Sequence, residues 1–376
     1  MFLNTTEELH PTEASGQGWM DVDPNNCTQL HNYTVAWNWL STYQPAYLIL
    51  VSVVGVVTNG LVLCVFCLQK KPCTVADVYL GNLAAADLAM VSCLPFWAST
   101  IANSYHWAFG QLLCKLVNVS ISMNYYCSVF FLVLVSADRY LALVKPLYQS
   151  RLRRTVCAKR ICLGIWVFGF LLSLPTLVFR RVKYVAKASV TACYLDFPHP
   201  DWQIQRNITN NVVGFLLPVK AVAYCSRHIV VALRDGQLRK TSMVRSERKA
   251  TQLVLTVLAV FLICWTPFQV VSFLDTLDYF QVTPGCLWGH ILDICLQLST
   301  YLAYANSTIN PFLYVLVGRH FRKRAREVFG TMLLNRRFTH KSFLTVNLTS
   351  SGRLGNQKIL FKQPVKETVM IRCEQP

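Results

Sequence analysis

The 376-residue chain is too apolar to be an ordinary soluble globular protein. Hydrophobic residues make up 53% of it, charged residues make up 14%, and its mean hydropathy is +0.36, which is typical of a chain that folds in a lipid bilayer. The net charge of +18 does not indicate a nucleic-acid-binding protein, because the lysines and arginines cluster in every second loop between apolar segments, as expected for membrane topology.

Seven apolar windows are each long enough to cross a membrane as a helix, since about 20 residues span the hydrocarbon layer. They lie near 47–68, 76–100, 112–144, 161–179, 211–233, 251–274 and 291–317. They predict an all-α membrane protein, a seven-transmembrane helix bundle over residues 42–318, with no room for a separate soluble domain. Residues 1–41 precede this bundle.

The basic residues predict the orientation of the bundle. The loops 145–160 and 234–250 are rich in Lys and Arg, whereas residues 1–46 contain neither. The positive-inside rule therefore places the N-terminus outside the cell and the C-terminus in the cytosol, and we expect a multi-pass protein of the plasma membrane. Acceptor patterns for N-linked glycans on the predicted outer side begin at Asn4, Asn26, Asn32 and Asn207.

Four of the 15 cysteines lie on the predicted oxidising face: Cys27, Cys114, Cys193 and Cys286. Four cysteines allow three pairings, and their positions do not choose among these. The other cysteines lie in apolar spans, near the cytosol or in the tail, where small buried thiols are the expected role.

Asp87 is a carboxylate in the middle of the second apolar window. A charge at this depth costs about 2.5–3.5 kcal/mol, so it needs a partner or a function. Polar residues of other spans can supply oxygen and amide groups around it: Asn59, Asn124, Ser128, Asn306, Ser307 and Asn310. A sodium ion held by one carboxylate and neutral oxygens fits this set, and so does a purely structural polar network.

Asp138-Arg139-Tyr140 ends the long third segment next to the basic loop. Arg139 is expected at the cytosolic interface, where snorkelling is the simple interpretation. Glu247, at the foot of the sixth span, offers an alternative partner for Arg139, so the pair predicts a switch.

Prolines interrupt five of the predicted spans, at Pro95, Pro175, Pro218, Pro267 and Pro311. Each removes a backbone hydrogen bond and kinks its helix. Trp265 lies two residues before one such kink, and the stretch from Asn310 to Tyr314 surrounds another.

These motifs, one in each span and in order, resemble those of the rhodopsin-class G-protein-coupled receptors. The residues that carry the resemblance are Asn59, Asp87, Asp138-Arg139-Tyr140, Trp166, Pro218, Cys264 to Pro267 and Asn310 to Tyr314. The resemblance implies a Cys114–Cys193 disulfide, an amphipathic membrane-surface helix over 319–334 and a cytoplasmic tail over 335–376, which we expect to be disordered. It also implies a sodium pocket, as an allosteric site and not a cofactor site, formed by Asp87, Asn124, Ser128, Asn306 and Ser307. The implied activation switch comprises Asp138, Arg139, Tyr140, Glu247, Phe261, Trp265, Pro267, Asn310, Pro311 and Tyr314.

Within that class the chain resembles the bradykinin (kinin) receptors. The stretches that carry this second resemblance begin at Thr74, Leu94, Gly214, Pro267, Phe273 and Val317. It implies a Cys27–Cys286 disulfide and a peptide site formed by Asp275, Asp293, Trp97, Ser122, Phe268, Gln297 and Tyr304. Ser122 stands where receptors for arginine-trimmed kinins carry lysine, so the resemblance is closest to the subtype for the intact peptide. The acidic outer residues agree with a cationic ligand.

The expected function is that of a receptor for a cationic kinin, not an enzyme, signalling through a Gq-class G protein to phospholipase C and calcium. Arrestin, receptor kinases and membrane lipid are the other expected partners. The alternatives are a receptor for another peptide, such as a chemokine or an angiotensin-like ligand, and, from a different class, a transporter or channel, although no internal repeat supports it. Two departures have no account in the sequence: Lys220 within a span, and the cations Arg180, Arg181, Lys183 and Lys187 in an outer loop.

Overall fold

The computed structural model describes residues 26–70, 72–145, 154–186, 189–234, 242–280, 286–316, 318 and 321–331. The chain divides into two units, residues 1–326 and 327–376. Side chains are described for a smaller set, which excludes Asn26, Cys27, Asn32, Glu247 and Cys286, while Asn4 lies outside the described residues altogether. The predictions made for these six residues therefore remain predictions.

Seven long helices account for most of the described chain. They are α1 Asn26–Leu68, α2 Val75–Ala102, α3 Gly110–Leu143, α4 Thr155–Phe179, α5, α6 Ser242–Tyr279 and α7 Cys286–Leu316. Helix α5 runs through Asp201–Asn211, a π-helical turn Val212–Leu216, and Leu217–Arg234. Residues 321–331 form a further helix, α8, within the range predicted for the membrane-surface helix.

Six of these helices are long and apolar enough to cross a membrane by length and composition, and the candidate spans within them begin at Val35, Val75, Gly110, Thr155, Asp201 and Thr251. Helix α7 has 31 residues, but polar side chains lower its hydropathy. Several of them, including Gln297, Asn306 and Asn310, are buried in the bundle, so the polarity of α7 reflects its inner face.

The outer face of the bundle is apolar. Large side chains such as Leu50, Leu171 and Ile263 are 61%, 52% and 67% exposed. Exposed leucines and isoleucines at this density suit a surface that faces hydrocarbon and not water.

A β-hairpin links α4 to α5. Strand β1, Arg180–Val185, pairs antiparallel with β2, Val190–Leu195, and Val182 lies opposite Cys193. Cys193 is disulfide-bonded to Cys114 near the start of α3, as expected. The bond fastens the hairpin to the bundle, and we call this side of the molecule the hairpin end.

The interior contains two clusters of buried apolar side chains. One lies towards the hairpin end and includes Trp97, Trp107 and Tyr304, with Trp97 and Trp107 in tilted contact at 5.6 Å between ring centroids. The other includes Phe131, Phe261, Trp265 and Tyr314. The polar groups described next lie among these helices.

Helix α2 begins with a capping box. The backbone N–H of Thr74 donates to the Asp77 carboxylate at 2.7 Å, and the Asp77 N–H donates to the Thr74 hydroxyl at 3.3 Å. These bonds satisfy backbone donors that the helix leaves free. Asp77 is also paired with Arg324, which belongs to the same unit of the chain.

Candidate ligand cavity and polar core

An open cavity lies at the hairpin end between α2, α3, α4, α5, α6, α7 and the hairpin. Six of the seven residues predicted for the peptide site line it: Trp97, Ser122, Phe268, Asp275, Asp293 and Tyr304. Gln297 is not among the lining residues. It is buried, and its carboxamide oxygen accepts a hydrogen bond from Tyr301 at 3.2 Å.

The cavity reaches down to Trp265. The Trp265 ring lies 4.6 Å from the ring of Tyr125 on α3, and 6.0 Å from those of Phe261 and Phe268 on its own helix. Its indole N–H has no hydrogen-bond partner among the described groups. A ligand in the cavity can therefore act on Trp265 through packing.

Two carboxylates and two guanidinium groups share the cavity. Asp275 and Asp293 are both half-buried, and Arg206 of α5 lies within electrostatic range of Asp275. Arg180 also lines the cavity. Opposite charges that line one cavity suit a ligand that carries both a cationic and an anionic group.

The position of Arg180 was not foreseen, since the sequence places it only in a basic outer loop. It is 3% exposed, donates to the carbonyl of Cys193 at 3.0 Å and stacks on Trp97 at 5.8 Å. Burial, with the nearby charge of Arg206 as a smaller cause, lowers the pKa of Arg180 to about 9. The group therefore stays charged at neutral pH. Arg206 stacks on Phe197 at 5.7 Å and was not singled out by any sequence motif.

The other cations of the hairpin have local partners. Lys183 bonds to Asp196 at 2.6 Å, and Arg181 lies 3.8 Å from the same carboxylate. The hydrogen bond to Asp196 raises the pKa of Lys183. The basic residues that depart from the topology rule are therefore partly neutralised within the hairpin, while Lys187 lies outside the described residues.

Asp87 is fully buried and sits among side chains of three helices. Asn124 of α3 and Asn310 of α7 each donate to it at 2.9 Å, and the Ser128 hydroxyl lies 3.4 Å from its Oδ1. Ser307 lies 3.5 Å from Asn124. The predicted polar cluster is therefore assembled around this carboxylate.

The amide oxygens near this cluster suit a hard cation. The side-chain oxygens of Asn59, Asn306 and Asn310 are buried and have no hydrogen-bond partner among the described groups. Buried polar atoms of this kind are rare and ask for a ligand or water. One carboxylate with neutral oxygens matches the preferences of sodium, so these residues fit the ion that the resemblance implies.

The end of α3 carries a closed ion pair. The guanidinium of Arg139 donates to the carboxylate of Asp138 at 2.5 and 3.1 Å, and both residues are buried. The ring of Tyr140 packs against Tyr224 and His228 of α5, each at 5.9 Å. The predicted alternative partner, Glu247, has no described side chain, so that part of the switch stays a prediction.

Tyr314, near the end of α7, is 1% exposed. Its hydroxyl has no hydrogen-bond partner among the described groups, and its ring meets Phe321 of α8 at 6.2 Å. Pro311 interrupts α7 one turn earlier. A buried hydroxyl of this kind, beside a kink, is well suited to gain a hydrogen-bond partner when the helix moves.

The glycan expected at Asn207 does not agree with the structure. Asn207 lies in α5, is 4% exposed and donates through its side-chain amide to Thr276 of α6 at 3.1 Å. A glycan on this nitrogen would have to occupy the helix interface. The acceptor pattern in the sequence gives no indication of which helix face carries the asparagine.

Lys220 is exposed on α5, and no described ion pair includes it. It therefore faces the lipid side of the bundle and not the cavity.

The arrangement of helices and site agrees with a family of membrane receptors. Residues 58–314 match the model of the 7 transmembrane receptor (rhodopsin family). The class is therefore that of the rhodopsin-type G-protein-coupled receptors, which are receptors and not enzymes, and the protein is a multi-pass protein of the plasma membrane.

Similarity to individual receptors shows to which family within this class the chain belongs. The chain is 49% identical to the B2 bradykinin receptor of Cavia porcellus over 85% of this chain and 83% of that receptor. It is 44% identical to the human B2 bradykinin receptor, over 88% and 87%, and 39% identical to the human B1 bradykinin receptor, over 85% and 91%. The chain belongs to the bradykinin receptor family.

Proposed function

We propose that the chain is a G-protein-coupled receptor for a cationic kinin peptide, of the intact form that keeps its last arginine. The observation that carries the proposal is the pair Asp275 and Asp293 in a cavity with an aromatic floor. A guanidinium forms strong, directional bonds with carboxylates of this kind. The similarity to B2 and B1 bradykinin receptors supports the same ligand class.

The charges of the cavity suggest how such a peptide binds. An arginine side chain of the ligand meets Asp275 and Asp293, and the ligand's terminal carboxylate meets Arg206 and Arg180. The peptide thereby replaces the attraction between Arg206 and Asp275 with contacts to itself. Trp97 and Phe268 cover its apolar side chains.

Signalling follows from a shift between two conformations. A peptide that contacts Trp265 and its neighbours favours a state in which α6 bends at Pro267 and moves outward. Arg139 then leaves Asp138, and a Gq-class G protein inserts beside the loops 145–160 and 234–250, leading to phospholipase C activation and calcium release. Signalling of this kind requires the N-terminus to lie outside the cell.

We propose that receptor kinases phosphorylate the tail and that arrestin then binds it. The candidate phosphorylation sites are Thr345, Thr349, Ser350 and Ser351.

Asp87, Asn124, Ser128, Asn306 and Ser307 are the residues that would hold a sodium ion. When bound, the ion supplies a positive charge that offsets the buried carboxylate. Asn310 donates to the same carboxylate and so connects this site with the Pro311 kink.

Calcium release in cells that express the chain with an N-terminal epitope tag tests the proposal. The tag must be detected on unpermeabilised cells, which also tests the orientation. An intact kinin is expected to release calcium at lower concentration than the peptide lacking its last arginine, and cells without Gq-class subunits are expected to lose the response.

A tagged receptor at the cell surface that answers neither peptide would contradict the ligand assignment. Chemokines and angiotensin-like peptides, tested on the same cells, then decide the alternative. A kinin response that persists without Gq-class subunits would retain the ligand and exclude that G protein.

A further inference from the structure

One tyrosine hydroxyl joins three helices at the floor of the cavity. The hydroxyl of Tyr125 on α3 donates to the backbone carbonyl of Asn210 on α5 at 2.9 Å. It also accepts a hydrogen bond from the side-chain amide of Gln269 on α6 at 2.8 Å. Tyr125 and Gln269 are 7% and 3% exposed, so these bonds lie inside the bundle.

The backbone of α5 is shaped to admit this hydroxyl. The π-helical turn Val212–Leu216 interrupts α5 beside Tyr125, and such turns often occur at functional sites. Gly214 lies in this turn, and a Cβ atom there would be only 2.4 Å from the Tyr125 oxygen. The tyrosine therefore occupies the space that any other side chain at position 214 would need.

The same tyrosine holds α6 on both sides of its weak point. Its ring contacts that of Trp265 at 4.6 Å, and its hydroxyl binds Gln269, one helical turn further along the same face. Pro267 lies between these two residues and removes a hydrogen bond from the helix. Any bending of α6 at the proline therefore changes its distance from Tyr125.

We propose that the Tyr125 hydroxyl is a positioning group that holds α6 in the resting arrangement, the one in which Arg139 is paired with Asp138. A bond that is made in one of two conformations stabilises that conformation. The inference rests on the proposed function only in assuming that signalling moves α6. It does not depend on which peptide binds.

The test is the Tyr125→Phe variant, which keeps the ring and removes both hydrogen bonds. Ligand-independent signalling, measured over a panel of G-protein classes and corrected for surface expression, is expected to rise about fivefold to tenfold, as for the loss of one or two buried hydrogen bonds. A fluorine NMR probe is placed at position 252, where Gln252 is exposed on α6. In the purified variant it is expected to show a larger population with α6 displaced outward than in the wild-type receptor, whatever G protein the receptor uses.

Gln269→Leu removes the hydrogen bond between Gln269 and the Tyr125 hydroxyl by changing its donor. This variant replaces Tyr125→Phe in the test if Tyr125→Phe does not fold. The double variant is expected to show no more basal signalling than Tyr125→Phe alone, because that substitution already removes the bond to Gln269. Tyr47→Phe is the control, since it removes a part-buried tyrosine hydrogen bond that joins α1 to α7, at 2.6 Å to the carbonyl of Tyr301, and not one to α6.

Unchanged or lower basal signalling in both Tyr125→Phe and Gln269→Leu, with an unchanged fluorine spectrum, would overturn the inference. An increase in Tyr47→Phe equal to that in Tyr125→Phe would do the same, because it would show a general loosening of the bundle. A receptor that ignores kinins but shows the increase would contradict the proposed ligand and leave this inference standing.

Discussion

Asn310 of α7 donates a hydrogen bond to the Asp87 carboxylate of α2 at 2.9 Å. The residue directly before the Pro311 kink is therefore bonded to the buried charge at the centre of the bundle. We therefore expect movement of α7 at this kink and occupancy of the proposed cation site beside Asp87 to influence each other, since both involve the same carboxylate.

We predict that Asp87→Asn abolishes the effect of sodium on peptide binding. In the wild-type receptor, sodium chloride is expected to lower the affinity for a labelled peptide agonist several-fold relative to choline chloride, because the ion favours the resting state. The variant is expected to bind equally in both salts, since it lacks the carboxylate. The two salts are compared at equal ionic strength, so that specific binding of sodium is distinguished from general screening of charges. A wild-type receptor with the same affinity in both salts would contradict the sodium site.

We predict that Asp275→Asn and Asp293→Asn each weaken the binding of an intact kinin by about tenfold to a hundredfold. The loss of one charge-assisted hydrogen bond is worth about 1.5–3 kcal/mol. Competition binding on membranes measures the change. Asp196→Asn is the control, because this carboxylate is engaged with Lys183 in the hairpin, and an equal loss in all three variants would indicate a general electrostatic effect.

We predict that Arg206→Gln discriminates between two forms of the peptide. The variant is expected to lose about tenfold in affinity for a peptide with a free terminal carboxylate, the equivalent of about 1.4 kcal/mol. The variant is expected to lose little affinity for the same peptide with a terminal amide, because only the carboxylate forms an ion pair with the guanidinium. Equal losses for both peptides would show that Arg206 acts by holding Asp275 and not by contacting the ligand.

We predict that Asp138→Asn raises signalling in the absence of ligand. The substitution removes the charge that holds Arg139 at 2.5 Å, and breaking a buried pair leaves the other charge seeking a partner. Nucleotide exchange by a G protein in membranes, normalised to receptor number, measures the effect. Asp201→Asn, at an exposed position, controls for net charge, and basal exchange equal to wild type in Asp138→Asn would argue against the switch.

Much of the architecture is determined by local composition. A helix must be long and apolar enough to cross the hydrocarbon, and so the apolar windows located the helices. Asp87 and the pair at Asp138 stood out because a charge is expensive in that setting. The predicted windows nevertheless missed the starts of some helices, although those of α2 and α3 agree within two residues. Helix α5, for example, begins at Asp201, ten residues before the window at 211–233, because its first turns face the cavity and are polar.

What the sequence by itself determined was therefore the set of spans, their order and the polar residues that require a partner, since all of these depend on transfer between water and lipid. Only the tertiary structure decided which way each side chain points. Helix rotation places Asn207 against Thr276, aims Arg206 at the cavity and brings Tyr125 against Gly214. These contacts join residues far apart in the chain and depend on the packing of several helices at once, which no local pattern encodes.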